Sequence, residues 1–116
     1  MNGNIIPYEG GAESETILTD SGGNPLIAKR YNGFVELKAW NLRSVAFSGW
    51  TLPEKYRPPQ NVDGAGWLWT VSPDLTYPCQ VRINTNGSVN IWGRSSDGST
   101  ISGDNYRVFC TIVYMI

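Results

Sequence analysis

"LIAKRYNGFVELKAW", residues 26–40, is the stretch on which the fold turns. Two strand-forming runs, 26–31 and 34–40, flank Asn32-Gly33. Asn-Gly between such runs is the strongest short hairpin signal, because both residues tolerate positive φ. In the second run Val35, Leu37 and Ala39 alternate with Phe34, Glu36, Lys38 and Trp40. Side chains two apart share a strand face, so the apolar trio predicts a core face.

Working outward, "CQVRINTNGSVNIWG" (79–93) predicts a second hairpin. Val81 and Ile83 pair with Val89 and Ile91, and Gly87 supplies the left-handed turn position. "LRSVAFSGW" (42–50) alternates with Val45 and Phe47 as the buried set, and "WLWTV" (67–71) is a further strand. "YRVFCTIVYMI" (106–116) is apolar on both faces and reads as a central strand covered on both sides. "QNVDGAG" (60–66) and "RSSDGSTISGDN" (94–105) read as loops, and "TDSGGNP" (19–25) as a turn cluster. Gly and Pro recur every eight to twelve residues or so, the rhythm of a sandwich or barrel. No segment holds a 3.6-residue apolar period. The expectation is an all-β, antiparallel β-sandwich over residues 17–116. Residues 1–16, polar and Gly-rich, are expected to be a loosely held lead-in from an upstream segment.

With 116 residues the chain is one domain. Nine basic residues against ten acidic ones give no pull toward nucleic acid or anionic membrane. No apolar run approaches the roughly 20 residues of a membrane span, and the N-terminal stretch lacks the basic start and apolar core of a signal peptide. Cys79 and Cys110 lie in apolar runs. They read as buried thiols, with a disulfide open to them if their strands are neighbours. With no histidine and no CxxC, no metal site is expected, and no cofactor.

"LPEKYRPPQ" (52–60) interrupts the strands with three prolines. Proline fixes φ, removes a donor and holds the preceding residue extended. The stretch reads as a stiff crossover in which Leu52 and Tyr56 tuck in and Arg57 donates to nearby carbonyls.

Taken in order, "AKRYNGFVELKAW", "WTLPEKYRPP", "VRINTNGSVNIWG" and a hydrophobic final strand resemble the C-terminal head domain of tail-fibre, baseplate or minor structural proteins of phages of Gram-positive bacteria. The matching positions are Lys29 to Gly33, Leu52 to Pro58 and Gly87 to Ile91, and the likeness covers roughly residues 27–116. Within it Leu52, Pro53, Tyr56, Arg57 and Pro58 form the structural signature. The resemblance implies a jelly-roll-like sandwich head, usually a homotrimer, at the distal end of a virion tail appendage, where such heads often bind host-surface glycan. It supplies no fixed set of binding residues.

The residues themselves point to a ligand surface. Five Trp and six Tyr are many for this length. Exposed rings stack on the apolar face of a pyranose, while carboxylates, amides or Arg take its hydroxyls. Trp67 and Trp69 share a strand face, and Trp92 is out of phase with Val89 and Ile91. The candidate carbohydrate-binding residues are therefore Trp67, Trp69 and Trp92, with Arg94, Asp97, Asp104 and Asn105 from the 94–105 loop. The simpler reading of the same rings is a core or subunit contact. Neither loop carries the alternating Asp pattern of a calcium site. With no histidine to serve a Ser or Cys nucleophile, and no obvious carboxylate pair, the chain reads as no enzyme. The expected function is glycan recognition by a distal tail domain. A purely structural trimerising knob and a stand-alone lectin-like module are the alternatives.

Overall fold

A computed structural model describes residues 13–43, 50–70, 74–93 and 106–116. Seven strands follow in chain order: β1 (Glu13–Thr19), β2 (Pro25–Tyr31), β3 (Phe34–Arg43), β4 (Val62–Thr70), β5 (Leu75–Ile83), β6 (Val89–Gly93) and β7 (Tyr106–Met115). Every pairing is antiparallel. The chain is all-β, and its strands join in one sheet of order β1-β2-β3-β7-β4-β5-β6 rather than in two.

Local chemistry sets the hairpins. Asn32 and Gly33 take φ of 48° and 79°, closing β2 on β3 with Tyr31 opposite Phe34. Val81 faces Ile91 and Ile83 faces Val89 across the second hairpin, whose Gly87 has φ of 91°. Asp20 organises the turn between β1 and β2. Its carboxylate accepts from the amides of Gly22 (2.8 Å) and Asn24 (2.9 Å), and from the amide of Arg43 (2.9 Å) at the end of β3. Burial pushes its pKa up, but these hydrogen bonds outweigh that and hold it below the ordinary carboxylate value.

Four expectations change. β1 starts at Glu13, inside the stretch read as lead-in. The loop read over 60–66 is mostly strand, since β4 starts at Val62 and places Gly64 and Gly66 on the inner face. The strand read over 34–40 runs on to Arg43 through a bulge, taking in the first two residues of the 42–50 stretch, of which 44–49 lie outside the described residues. Asn41 sits at φ of 59°, and the register against β7 shifts between Ala39 and Leu42. An extra residue there turns Leu42 inward after Ala39, a phase change that simple alternation cannot carry. Finally, β7 is the middle strand of the sheet, but only one of its faces is covered. Val108, Cys110, Ile112 and Tyr114 are buried, while Thr111, Val113 and Met115 are exposed. Val45 and Phe47 lie outside the described residues.

The core joins inward side chains from both halves of the sheet, among them Leu26, Val35 and Leu37 on one side and Leu68, Val81 and Ile83 on the other. One inner row contains only small residues. Ala39 faces Cys110, which faces Gly66, which faces Cys79, which faces Gly93. A Cβ on Gly66 would sit 2.7 Å from Cβ of Cys110, and one on Gly93 would strike the Leu68 side chain. That row leaves room for the inner face to close on itself. Both cysteines are free thiols, and burial pushes Cys79 to about 11 and Cys110 to about 12. Gly66 stands between their strands, so the pair is two strand spacings apart, roughly 10 Å, too far to bridge.

The 52–58 segment closes one end. It contains a single 3₁₀ turn, Glu54–Tyr56, between its prolines. Leu52 and Tyr56 are fully buried, and Pro58 is buried beside them. The Tyr56 hydroxyl donates to Glu15 of β1 at 3.2 Å, and the Tyr114 hydroxyl donates to the Tyr56 carbonyl at 2.6 Å. Lys55 pairs with Glu13 at 3.0 Å. At the other end the Leu52 amide donates to the Gly87 carbonyl at 2.8 Å, while Arg57 Nε donates to the Leu52 carbonyl at 2.8 Å. β1 and β6 are the two edges of the sheet, so this segment ties one edge to the hairpin that carries the other.

Candidate functional site

The pleat that buries one face of the sheet leaves the other to solvent. On that outer face Trp40 of β3 meets Phe109 of β7 edge to face, with ring centroids 4.8 Å apart. Phe109 is opposite Trp67 of β4, and Trp67 is opposite Pro78 of β5. Three rings and a proline therefore form a row across four adjacent strands. It backs the inner row of small residues, so bulk outside is matched by little inside. Trp40 is 63% exposed and Trp67 56%.

Beside this row lies a polar group. Asp63 of β4 is opposite Arg82 of β5, which is opposite Asn90 of β6. Arg82 grips the Asp63 carboxylate with two donors, Nε at 2.7 Å and Nη2 at 3.1 Å. These hydrogen bonds hold the Asp63 carboxyl below its ordinary value and push Arg82 up, and Gln80 also hydrogen-bonds to Asp63. The Arg82 guanidinium lies over the Trp92 ring, 5.6 Å from its centroid. Trp92 is 44% exposed on the edge strand.

Between the ring row and the polar group is an open depression of about 520 Å³. Ala65, Pro78, Gln80 and Trp92 line it, together with the backbone of β4, β5 and β6. Ala65 is its cause. It is a single methyl group on the outward face of β4 between the longer side chains of Asp63 and Trp67, and it stands opposite Gln80, which stands opposite Trp92. The volume falls within the range of small-ligand sites, roughly 300–1,000 Å³.

Of the residues singled out in the sequence, Trp67 and Trp92 flank this area from opposite sides. Trp69 lies on the same face of β4 but is half-buried, and its indole N–H donates to Asp74. Arg94, Asp97, Asp104 and Asn105 lie outside the described residues. Leu52, Pro53, Tyr56, Arg57 and Pro58 sit away from the depression, in the segment that closes the end of the sheet. Sequence reasoning passed over Trp40, Phe109, Gln80 and Arg82. Trp40 had a usable signal, since it alternates with the core trio of β3. Phe109 had none, because its place in the row depends on β7 lying between β3 and β4.

Among the described residues no three Cys, Asp or Glu side chains cluster to hold a metal, and no helix is long and apolar enough to cross a membrane. No protein-family model, curated protein or solved structure matches this chain.

Proposed function

We propose that this chain is the distal domain of a tail-fibre or baseplate protein of a phage of Gram-positive bacteria, and that it recognises host cell-surface carbohydrate without catalysis. One observation carries the reading. The outer face sets the exposed rings of Trp40 and Trp67 in a row with the half-buried Phe109 between them, beside a depression walled by Trp92 and edged by amide and carboxylate groups. Rings with adjacent hydrogen-bonding groups are what a pyranose needs. The ordered motifs around Lys29–Gly33, Leu52–Pro58 and Gly87–Ile91 support the placement at a virion tail. They also support a jelly-roll-like head in which the two halves of the sheet face each other, joined to an upstream fibre segment. Weak single sites gain avidity when several copies are displayed.

The assembly is a homotrimer in this proposal. Phe34, Val113 and Met115 are exposed, and Phe34 stands opposite Met115. That apolar corner also favours a second reading, a trimerising knob that binds no sugar. A glycan array separates the two. The expected result is a saccharide signal that falls with Trp67→Ala. An intact trimer with no signal on any glycan selects the knob, and a monomer at micromolar concentration in sedimentation rejects the trimer.

A further inference from the structure

We infer that the depression on β4, β5 and β6 is the anchoring subsite for one unit of an uncharged glycan chain, with the chain continuing over Trp67 toward Phe109 and Trp40. This rests on the carbohydrate reading above and adds to it a place, a charge class and a direction.

The charge class follows from the ion pair. Among the described residues the ionised side chains beside the depression are Asp63 and Arg82, and they are each other's bidentate partner, while Lys38 lies farther off, 6.0 Å from the Trp40 ring at the other end of the row. Their charges cancel locally, so the rim offers oriented donors and acceptors without net attraction for an acidic or a basic sugar. An acidic sugar would have to compete with Asp63 for Arg82, and a basic one with Arg82 for Asp63. The hydroxyls of a neutral pyranose can instead use the lone pairs and N–H groups left over on Asp63 and Gln80.

The ring geometry gives the anchor. Arg82 lies over the Trp92 indole while Trp92 also walls the depression. The guanidinium fixes the ring that a sugar would stack on, so Arg82 acts as a positioning residue. The floor is Ala65, whose single methyl group leaves the needed space.

The direction follows from the sheet. The depression is open, and on the Pro78 side it leads to Trp67, which stands opposite Pro78. Two strand spacings separate β6 from β4, and two more separate β4 from β3. Each step is about 10 Å at the usual strand separation. That is close to the length of a disaccharide in an extended chain, so successive rings can each meet a separate sugar. A terminal monosaccharide would use only the Trp92 end.

The test is titration calorimetry on the intact protein with dimers and hexamers of glucose and of N-acetylglucosamine, alongside a polyuronate and a polyglycerol phosphate. The expected result is tighter binding of a neutral hexamer than of its dimer and no binding of the charged polymers. Trp92→Ala should then weaken hexamer binding at least about tenfold, the scale of losing one aromatic anchor. Ala65→Leu, which fills the floor from the solvent side, should do the same with an unchanged melting temperature. Hexamer binding unaltered in both variants overturns the subsite and leaves carbohydrate recognition standing. Binding confined to a charged polymer overturns the neutral class. Equal affinity for dimer and hexamer overturns the extended path. Binding of none of these saccharides overturns the subsite as a site for such neutral chains, and the glycan array separately decides whether carbohydrate recognition falls with it.

Discussion

Tyr56 and Trp67 belong to the same class of residue and meet opposite fates. Tyr56 is fully buried in the proline-bounded segment, with its hydroxyl and its carbonyl both engaged. Trp67 leaves more than half of its surface to solvent, in a row of rings on the open face of the sheet. Aromatic content alone therefore says nothing about role. What separates the two regions is whether polar atoms are satisfied within the fold. The 52–58 segment uses its donors and acceptors to join both ends of the sheet, whereas the outer face presents rings and amides to solvent.

The largest expected effect comes from removing the buried ring. Tyr56→Ala should destabilise the fold by about 3–5 kcal/mol, through lost burial and a cavity. Urea unfolding checks this, and a cost near that of an exposed Trp40→Ala would erase the contrast between the two regions. Gly87→Ala comes next, at about 2 kcal/mol, because an L side chain resists positive φ. The added Cβ would also stand 2.8 Å from the Leu52 carbonyl and 2.7 Å from Arg57 Nε. The same urea series measures it, and a neutral result would mean that the hairpin and the connector do not lock together.

The smallest effect is electrostatic. The carboxyl of Asp20 titrates below its ordinary 3.8 in the folded chain. A depressed folded pKa means that its stabilisation is present above the unfolded value and is lost as pH falls below about 3.8 through the folded value. Asp20→Asn should cost about 1 kcal/mol at neutral pH, the scale of weakening hydrogen bonds to a charged acceptor. It should also flatten the acid limb of stability against pH. Melting curves between neutral pH and pH 2 that show equal acid slopes for both proteins would remove Asp20 from the account.

Much of the fold is legible locally. Asn32-Gly33 and Gly87 specify their turns through positive φ, and the alternation of Val35, Leu37 and Ala39 specifies which face of β3 is buried. The bulge at Asn41 was hidden because one extra residue reverses the alternation without any composition signal. β4 looked like loop at its start because "DGAG" has turn composition. Gly66 is needed there for a different reason, the close approach of Cys110. Both faces of β7 carry apolar side chains, which read as burial on both sides. One set instead remains on the outer face with Phe109, Val113 and Met115. Of the candidate site, Trp67 and Trp92 were visible as outward residues, while Gln80 and Arg82 looked like ordinary strand polar positions.

The amino-acid sequence by itself determined the all-β class, the two tight hairpins and the inward phase of most strands, because each depends on neighbours a few residues apart. Only the tertiary structure decided that β7 lies between β3 and β4 and that one segment joins both edges of the sheet. It alone placed Trp40, Phe109 and Trp67 in a row. Pairing strands so far apart in the chain requires closing long loops, and its register is set by packing over the whole core rather than by any local pattern.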